Sequence, residues 1–488
     1  MEPTDEQKKA IELFQTGESL VIEAGAGTGK TSTLEMMADV SGGIGQYTAF
    51  NKAICDDASK RFPPSVKCNT AHSLAFRSVG HKYKGRLGAP RMRSEDIASL
   101  LGIYPFRVET GEGRSKRLAA GFLASWVMRG IENFCQSADE FPSAKHFPKI
   151  DGIDFPDVSG KRTFRNNALV RNEFEGKLLE AWKDLCKTDN GNFPFRHSHY
   201  LKMFERSGPF VDAEFILFDE AQDASPVMRS IVEQQDHAQL VYVGDSQQAI
   251  YGWTGAVNAL ANVGVKNRAF LTQSFRFGQP VADLANSILD MLDAELRLSG
   301  SPDVESKVAP LSAPDVHLTR TNALAVQTVI LELAAHRRPH IVGGASDVIS
   351  FTKSAWALMS GKPAYHPDLA CFDNWGEVLE YVEGDQLGDE LKLLVSLINQ
   401  FGCSQILDAL ENTVTERQAD VIVSTAHKAK GREWSTVKLS HDFPAIVVTE
   451  DGVDPSDMEE LRLLYVACTR ARHVVDPYNT WLFGSQKM

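Results

Sequence analysis

LVIEAGAGTGKTS, residues 20–32, decides the fold. Leu20, Val21 and Ile22 read as a short buried strand. The stretch AGAGTGKT, residues 24–31, follows directly, and a helical pattern runs from Ser32 to Ala38. Strand, glycine-rich loop and helix in that order make the setting of a phosphate-binding loop. Glycines let backbone N–H groups curl around phosphate oxygens, and the helix N-terminus adds a positive end. Gly25, Ala26, Gly27, Thr28 and Gly29 supply that cradle. Lys30 reaches the β- and γ-phosphates, and Thr31 offers its hydroxyl to Mg²⁺. Ala24 stands where a first glycine is usual. A dinucleotide loop needs neither Lys30 nor Thr31, and its glycines are spaced differently.

FDEAQD, residues 218–223, is the expected second half of the site. The apolar run 215–218 delivers Asp219 to a sheet edge, where it holds Mg²⁺ through water. Glu220 is then placed to take a proton from the attacking water. Alone, this acidic cluster reads equally well as a helix cap. A third stretch, GDSQQAIYGW, residues 244–253, sets Gln248 three residues before Tyr251, with Trp253 beyond. A carboxamide reads a phosphate and exposed aromatics stack on bases, so this segment suggests hydrolysis coupled to a grip on nucleic acid.

The wider chain follows the same rhythm. Apolar runs at 240–243, 270–271, 316–319, 341–342 and 421–424 each lead into a polar or Gly-rich turn, with helical stretches such as 281–292 between them. Buried parallel strands read this way, so the class is α/β with strands enough for two open sheets. Two segments break the rhythm. Residues 78–208 carry helical spacing at 116–134 and 172–186, and residues 346–412 are mostly helical. Both read as insertions.

The 488 residues allow about three or four domains. A net charge of −13 counts against a nucleic-acid partner, although a local positive groove, not the total, decides binding. Seven cysteines without a CxxC pair predict free thiols in a reducing compartment and no zinc or iron–sulfur site. His197 and His199 lack further ligands at a metal spacing and read as surface or packing residues. No apolar run reaches the roughly 18 residues of a membrane span. The opening MEPTDEQKK lacks a secretion pattern. The expected location is cytoplasmic: intracellular, non-secreted and not in a membrane.

These motifs resemble, in order, those of the UvrD/Rep-like DNA helicases of superfamily 1A. Gln7 in TDEQKKAI fits the adenine-reading glutamine, and residues 24–31 fit motif I. AFNKAICDDA from Ala49, TAHSLAF from Thr70 and residues 219–223 fit motifs Ia, Ib and II. GDSQQAIYGW, QSFRF from Gln273, STAHKAKGREW from Ser424 and EELRLLYVACTRAR from Glu459 fit motifs III to VI. FNKA, TAHSLAF and TAHKAKG resemble the F-box DNA helicase branch and its prokaryotic and viral relatives. From a chain that starts at the helicase core and has a short tail after Arg472, neither an F-box nor a fused nuclease is expected.

The resemblance implies two RecA-like P-loop NTPase domains with ATP between them. Domain 1A takes 1–77 plus 209–275, 1B takes 78–208, 2A takes 276–345 plus 413–488, and a reduced 2B takes 346–412. It implies that Phe275 stacks on adenine, that Glu433 contacts ribose and that Arg276 and Arg470 act as arginine fingers. Gln248 links the γ-phosphate to the track. Tyr251, Trp253 and Phe50 stack on bases. Asn51, Lys52, Thr70, His72, Thr425, His427 and Lys430 grip the DNA backbone. The implied partners are single-stranded DNA, its junctions with duplex, and recombination or replication proteins, with a monomer as the 3′-to-5′ translocase.

Four positions depart from the family. Ser32 and Thr254 stand where relatives carry Arg, and Arg432 and Trp434 replace the commoner Leu and Phe. Two other functions share these motifs: a single-strand translocase that strips proteins from DNA, and a nucleic-acid-gated NTPase switch. RNA as the track also remains open.

Overall fold

A computed structural model describes residues 2–49, 52–89, 92–109, 115–148, 165–250, 260, 263–366, 368–369, 372, 374–384, 389–446, 448–449, 452–454 and 457–484. The chain forms two compact units. One comprises Met1–Glu23 and Lys30–Phe270, the other Ala24–Gly29 and Leu271–Met488.

The first unit is built on β1 (Leu20–Ala24), β2 (Gly45–Thr48), β3 (Val66–Asn69), β4 (Phe215–Phe218), β5 (Gln239–Gly244) and β6 (Asn267–Leu271). Their order is β3-β2-β4-β5-β1-β6. The pairs β2–β3, β2–β4, β4–β5 and β1–β5 are parallel. All four residues of β4 are buried, because helices cover both sheet faces; hence its unbroken apolar reading. Parallel pairing puts the carboxyl ends of β4, β5 and β1 side by side on one edge, where α/β sheets bind ligands.

Local signals set the helices around this sheet. Asp5–Gln15 starts with a reciprocal Thr4–Gln7 capping box. Thr70 caps Ala71–Ser78, its side chain accepting from Ser73 N. Pro226 opens Pro226–Glu233, where its missing N–H costs nothing.

The segment 78–208 is mainly helical, as expected. Trp126 stacks on Phe147 at 4.0 Å, and Phe134 meets Trp182 edge-on at 5.0 Å. These residues share one apolar cluster with Ile216, Phe218 and Tyr242 of the sheet. The insertion is therefore not an independent core. One detail differs from the helical reading of 116–134. Ser115–Leu118 pairs antiparallel with Phe106–Glu109, and the helix runs over Ala120–Gln136. Exposed Arg117 beside buried Leu118 is the strand alternation that the helical count overrode.

The second unit carries β7 (Lys307–Val308), β8 (Val316–Thr319), β9 (Pro339–Ile341), β10 (Val421–Thr425), β11 (Trp434–Leu439) and β12 (Ala471–Asp476). The order is β9-β10-β8-β11-β12-β7, every neighbouring pair parallel. Two parallel sheets flanked by helices are consistent with tandem RecA-like folds.

Residues 346–412 supply helices Ser346–Met359, Trp375–Gly384 and Asp389–Glu411. Phe351, Ile398 and Ile406 pack with Val326 and Val329 of Asn322–Ala334 and with Val423 of β10. Within the last helix, Leu391–Glu411 is long and apolar enough to cross a membrane by length and composition. Polar residues interrupt this stretch, so it is no unbroken apolar run in the sequence. Its apolar side chains instead form core: Leu394, Val395, Leu397 and Ile398 are buried.

Candidate nucleotide and nucleic-acid site

The carboxyl ends of β1 and β4 bring four expected residues together in the first unit. Lys30 opens helix Lys30–Ser41, with its Nζ 3.8 Å from Glu220 Oε1. Thr31 Oγ1 donates to Asp219 Oδ2 at 3.4 Å. Glu220 N donates to Asp219 Oδ1 at 2.9 Å. Glu220 holds φ +53°, left-handed backbone that costs a non-glycine residue about 1–3 kcal/mol. The chain thus turns sharply after β4, and adjacent acids face the Lys30 ammonium.

Thr31 and Asp219 form an all-oxygen donor set, hard and partly anionic, which fits Mg²⁺. Burial pushes the Asp219 carboxyl up from its ordinary value, the Glu220 charge adds to the rise, and Lys30 opposes it. A dication there would reverse that balance.

β5 brings the Gly244 segment to the same edge. Asp245 organises it: Oδ2 accepts from Gln248 Nε2 at 2.7 Å and Oδ1 from Gln247 N at 3.0 Å. Gln248 is 4% exposed. Gln222 joins this segment to the acids. Its Nε2 donates to Glu220 Oε2 at 2.5 Å and its Oε1 accepts from Asp245 N at 3.2 Å. A Cβ on Gly244 would lie 2.0 Å from Gln222 Oε1, so only glycine admits this approach. Gln248 therefore connects to Glu220 through Asp245 and Gln222.

Glu23, at the end of β1, accepts from Ser246 N at 2.6 Å and Ser246 Oγ at 2.8 Å. Burial, then the Asp245 charge, raises its pKa from 4.5 to about 7. The folded chain holds a proton there that the unfolded chain releases. Glu23's contribution is full below about pH 4.5 and lost as pH rises through about 7. That shift corresponds to about 3 kcal/mol against the folded state at higher pH. Glu23→Gln should therefore raise the thermal unfolding midpoint at about pH 8, and the gain should shrink toward about pH 5. Thermal melts at both pH values check this.

Gln7 is placed differently from a free adenine reader. It is 4% exposed, accepts from Thr4 N at 3.0 Å and donates to Thr33 Oγ1 at 3.0 Å. Ser32, where Arg was expected, receives the Arg61 guanidinium at 3.0 Å, which also holds Glu35 at 2.7 Å.

In the second unit, Gly27 O accepts from Phe275 N at 2.8 Å, and Ala26 N donates to the Tyr465 hydroxyl at 3.3 Å. Gly27 has φ +75°, and a Cβ there would lie 2.6 Å from Ser274 Oγ and 2.7 Å from Arg276 Cβ. Gly25 and Thr28 are tied by a 2.9 Å bond from Thr28 Oγ1 to Gly25 O, and Gly29 also takes a positive φ. Arg276 Nε donates to Glu433 Oε2 at 2.7 Å, and its Nη1 to Thr469 O at 3.0 Å. Arg470 is only 2% exposed; its guanidinium binds Val466 O at 2.9 Å and Thr469 Oγ1 at 3.2 Å. Arg276, Glu433 and Arg470 thus gather around one helix end, with Glu433 holding Arg276. Arg432 pairs with Glu416 at 2.9 Å and lies over the Trp434 ring at 5.9 Å.

The backbone-gripping candidates lie at carboxyl ends of strands. Thr70 and His72 follow β3, Thr425 ends β10, and His427 and Lys430 come just after it. Lys52 is exposed at the start of helix Lys52–Arg61. Burial lowers the pKa of both histidines, His427 to about 4 with help from Arg320. The shift favours the neutral imidazole, which offers hydrogen bonds rather than positive charge. Phe50, Asn51, Tyr251, Trp253 and Thr254 lie outside the described residues. His197 bonds the Tyr200 hydroxyl at 2.9 Å, and His199 Nδ1 accepts from Arg196 N at 3.0 Å. Tyr47, Gln222, Asp245 and Tyr465 add contacts that the motifs alone do not specify. Their common signal is a buried polar group at or near a motif.

Comparison with known proteins places the same motifs in context. Residues 7–254 match the AAA domain family, and residues 377–475 match the UvrD-like helicase C-terminal domain. Over 96% of its length the chain is 29% identical to F-box DNA helicase protein 1 of Schizosaccharomyces pombe, covering 56% of that protein. It is 30% identical to F-box DNA helicase 1 of Gallus gallus, again over 96% of the chain and covering 48% of the relative. DNA helicase IV of Escherichia coli is 24% identical over 94% of the chain, which covers 65% of it. The chain spans about half the length of the two F-box relatives.

Proposed function

The chain belongs to the AAA domain family and carries superfamily 1 UvrD/Rep-like helicase domains; from that premise we propose that it is an ATP-dependent DNA helicase or translocase moving 3′-to-5′ on single-stranded DNA. The observation that carries this reading is the Lys30, Thr31, Asp219 and Glu220 cluster, joined through Gln222 and Asp245 to Gln248. Glu220 takes the proton of the attacking water. Lys30 and the cradle of residues 25–29 hold the phosphates. Mg²⁺ held by Thr31 and Asp219 would neutralise charge developing on the phosphate oxygens. Arg276 and Arg470 serve as the arginine fingers, since a guanidinium stays charged when buried.

Within this reading the boundaries are 1–77 plus 209–275 for 1A, 78–208 for 1B, 276–345 plus 413–488 for 2A and 346–412 for 2B. The branch is that of the F-box DNA helicases. Tyr251 and Trp253 stack on bases, each worth about 1–3 kcal/mol without sequence preference. The partners are single-stranded DNA and its junctions with duplex, in repair, recombination or replication.

Unwinding of duplexes with 3′ or 5′ single-stranded tails tests this function. The expected result is ATP-dependent strand separation from 3′ tails. Separation from 5′ tails alone overturns the polarity. DNA-stimulated hydrolysis without separation moves the assignment to a protein-stripping translocase.

A further inference from the structure

We propose that Tyr47 is a positioning residue for the metal-holding carboxylate, fixing Asp219 in the orientation that Mg²⁺ requires. The inference rests on the proposed ATPase reading and adds a residue to that site. Tyr47 lies on β2, directly opposite Leu217 of β4 in a parallel register. Side chains alternate along a strand, so Asp219, two residues beyond Leu217, shares the face of Tyr47. The Tyr47 hydroxyl donates to Asp219 Oδ2 at 2.7 Å, within a fully buried side chain. Asp219 N donates to Thr48 O at 2.9 Å, which ties the backbone of the acid to the same strand.

The two carboxylate oxygens have distinct partners. Oδ1 accepts from Glu220 N, and Oδ2 accepts from both Tyr47 and Thr31. Thr31 is the longer contact and belongs to the metal donor set, so its hydroxyl is the one available to an ion. Tyr47 has no such second task. Its ring is held by Phe62, centroids 4.9 Å apart. A phenol clamped in this way holds the carboxylate in one orientation, from which Asp219 and Thr31 would hold the ion. Such outer partners of a metal-holding carboxylate typically change affinity 10–100-fold when removed.

Tyr47→Phe removes one oxygen and keeps the ring. The test uses the full chain and three measurements: Mn²⁺ binding by electron paramagnetic resonance, fluorescent ATP analogue binding in EDTA, and the Mg²⁺ concentration giving half-maximal hydrolysis. The expected result is Mn²⁺ affinity about tenfold weaker and a Mg²⁺ requirement raised by about the same factor. Nucleotide binding in EDTA stays unchanged, which a general loss of structure would not allow. Mn²⁺ affinity within about twofold of the unmodified protein overturns the proposal while leaving the ATPase reading intact. If the unmodified protein binds no Mn²⁺, or Asp219→Asn does not weaken it, both fail. Should Tyr47→Phe not fold, fluorotyrosine at position 47 keeps ring and hydroxyl and changes only donor strength. A shift in Mn²⁺ affinity then supports the role, and no shift overturns it.

Discussion

Lys30→Ala lowers the rate of ATP hydrolysis by about 10²–10³-fold, the cost of removing one preorganised electrostatic group from a developing charge. Lys30 begins the helix after the glycine-rich loop, and its ammonium sits 3.8 Å from Glu220. Two effects combine in the variant. The phosphates lose a cation that no other described side chain of the Lys30 cluster provides. Glu220 loses the nearby ammonium as well, so the repulsion between the two acids is less offset and Asp219 holds a proton more firmly. Both changes act against hydrolysis. The fold survives, because the buried face of helix Lys30–Ser41 is formed by Leu34, Met37 and Ala38 and not by Lys30. The checks are steady-state hydrolysis with and without DNA, ATP binding by a fluorescent analogue, and thermal unfolding. Weak nucleotide binding with a near-normal melt is the expected pattern.

Glu220→Gln separates proton transfer from binding. General acid–base catalysis contributes about 10²–10⁴-fold, so hydrolysis falls by that order. Nucleotide binding persists, because Lys30 and the loop remain. The side chain stays anchored: a glutamine oxygen still accepts from Gln222 Nε2, now 2.5 Å from Glu220 Oε2. The strained backbone at φ +53° is unchanged. The variant should therefore bind ATP and single-stranded DNA together and release neither by hydrolysis. A stable ternary complex, with single-turnover hydrolysis slowed about 10²–10⁴-fold, is the expected observation. Normal single-turnover rates would move the base to another residue.

Much of this arrangement is legible in the sequence because its parts are contiguous. Residues 24–31 contain a complete phosphate loop, and the four apolar residues before Asp219 specify a buried strand ending at an acid. The parallel sheets follow from the repeated apolar runs. What remains hidden depends on long-range register. Tyr47 and Asp219 are 172 positions apart, and GQYT reads only as a strand. Gln222 looks like one more polar residue of FDEAQD until β4 and β5 pair and bring Asp245 N to it. The motif around Arg470 gives no hint that its guanidinium is buried against the end of its own helix. Leu391–Glu411 shows the opposite limit: its apolarity is plain, but only the fold shows that it serves the second unit's core.

The network also gives the coupling a physical form. Gln248, Asp245, Gln222 and Glu220 are linked by hydrogen bonds of 2.7, 3.2 and 2.5 Å. A displacement of the segment that continues toward residues 251–253 would pull on Glu220, the proposed base. Low dielectric around buried partners makes such a chain sensitive to the loss of any member.

That coupling is the centre of the account, and steady-state ATP hydrolysis by the full chain, with and without single-stranded DNA, tests it most directly. Slow hydrolysis alone and clear stimulation by single-stranded DNA, lost in Lys30→Ala, are the expected results. Hydrolysis that is absent, or present and indifferent to DNA, would contradict it.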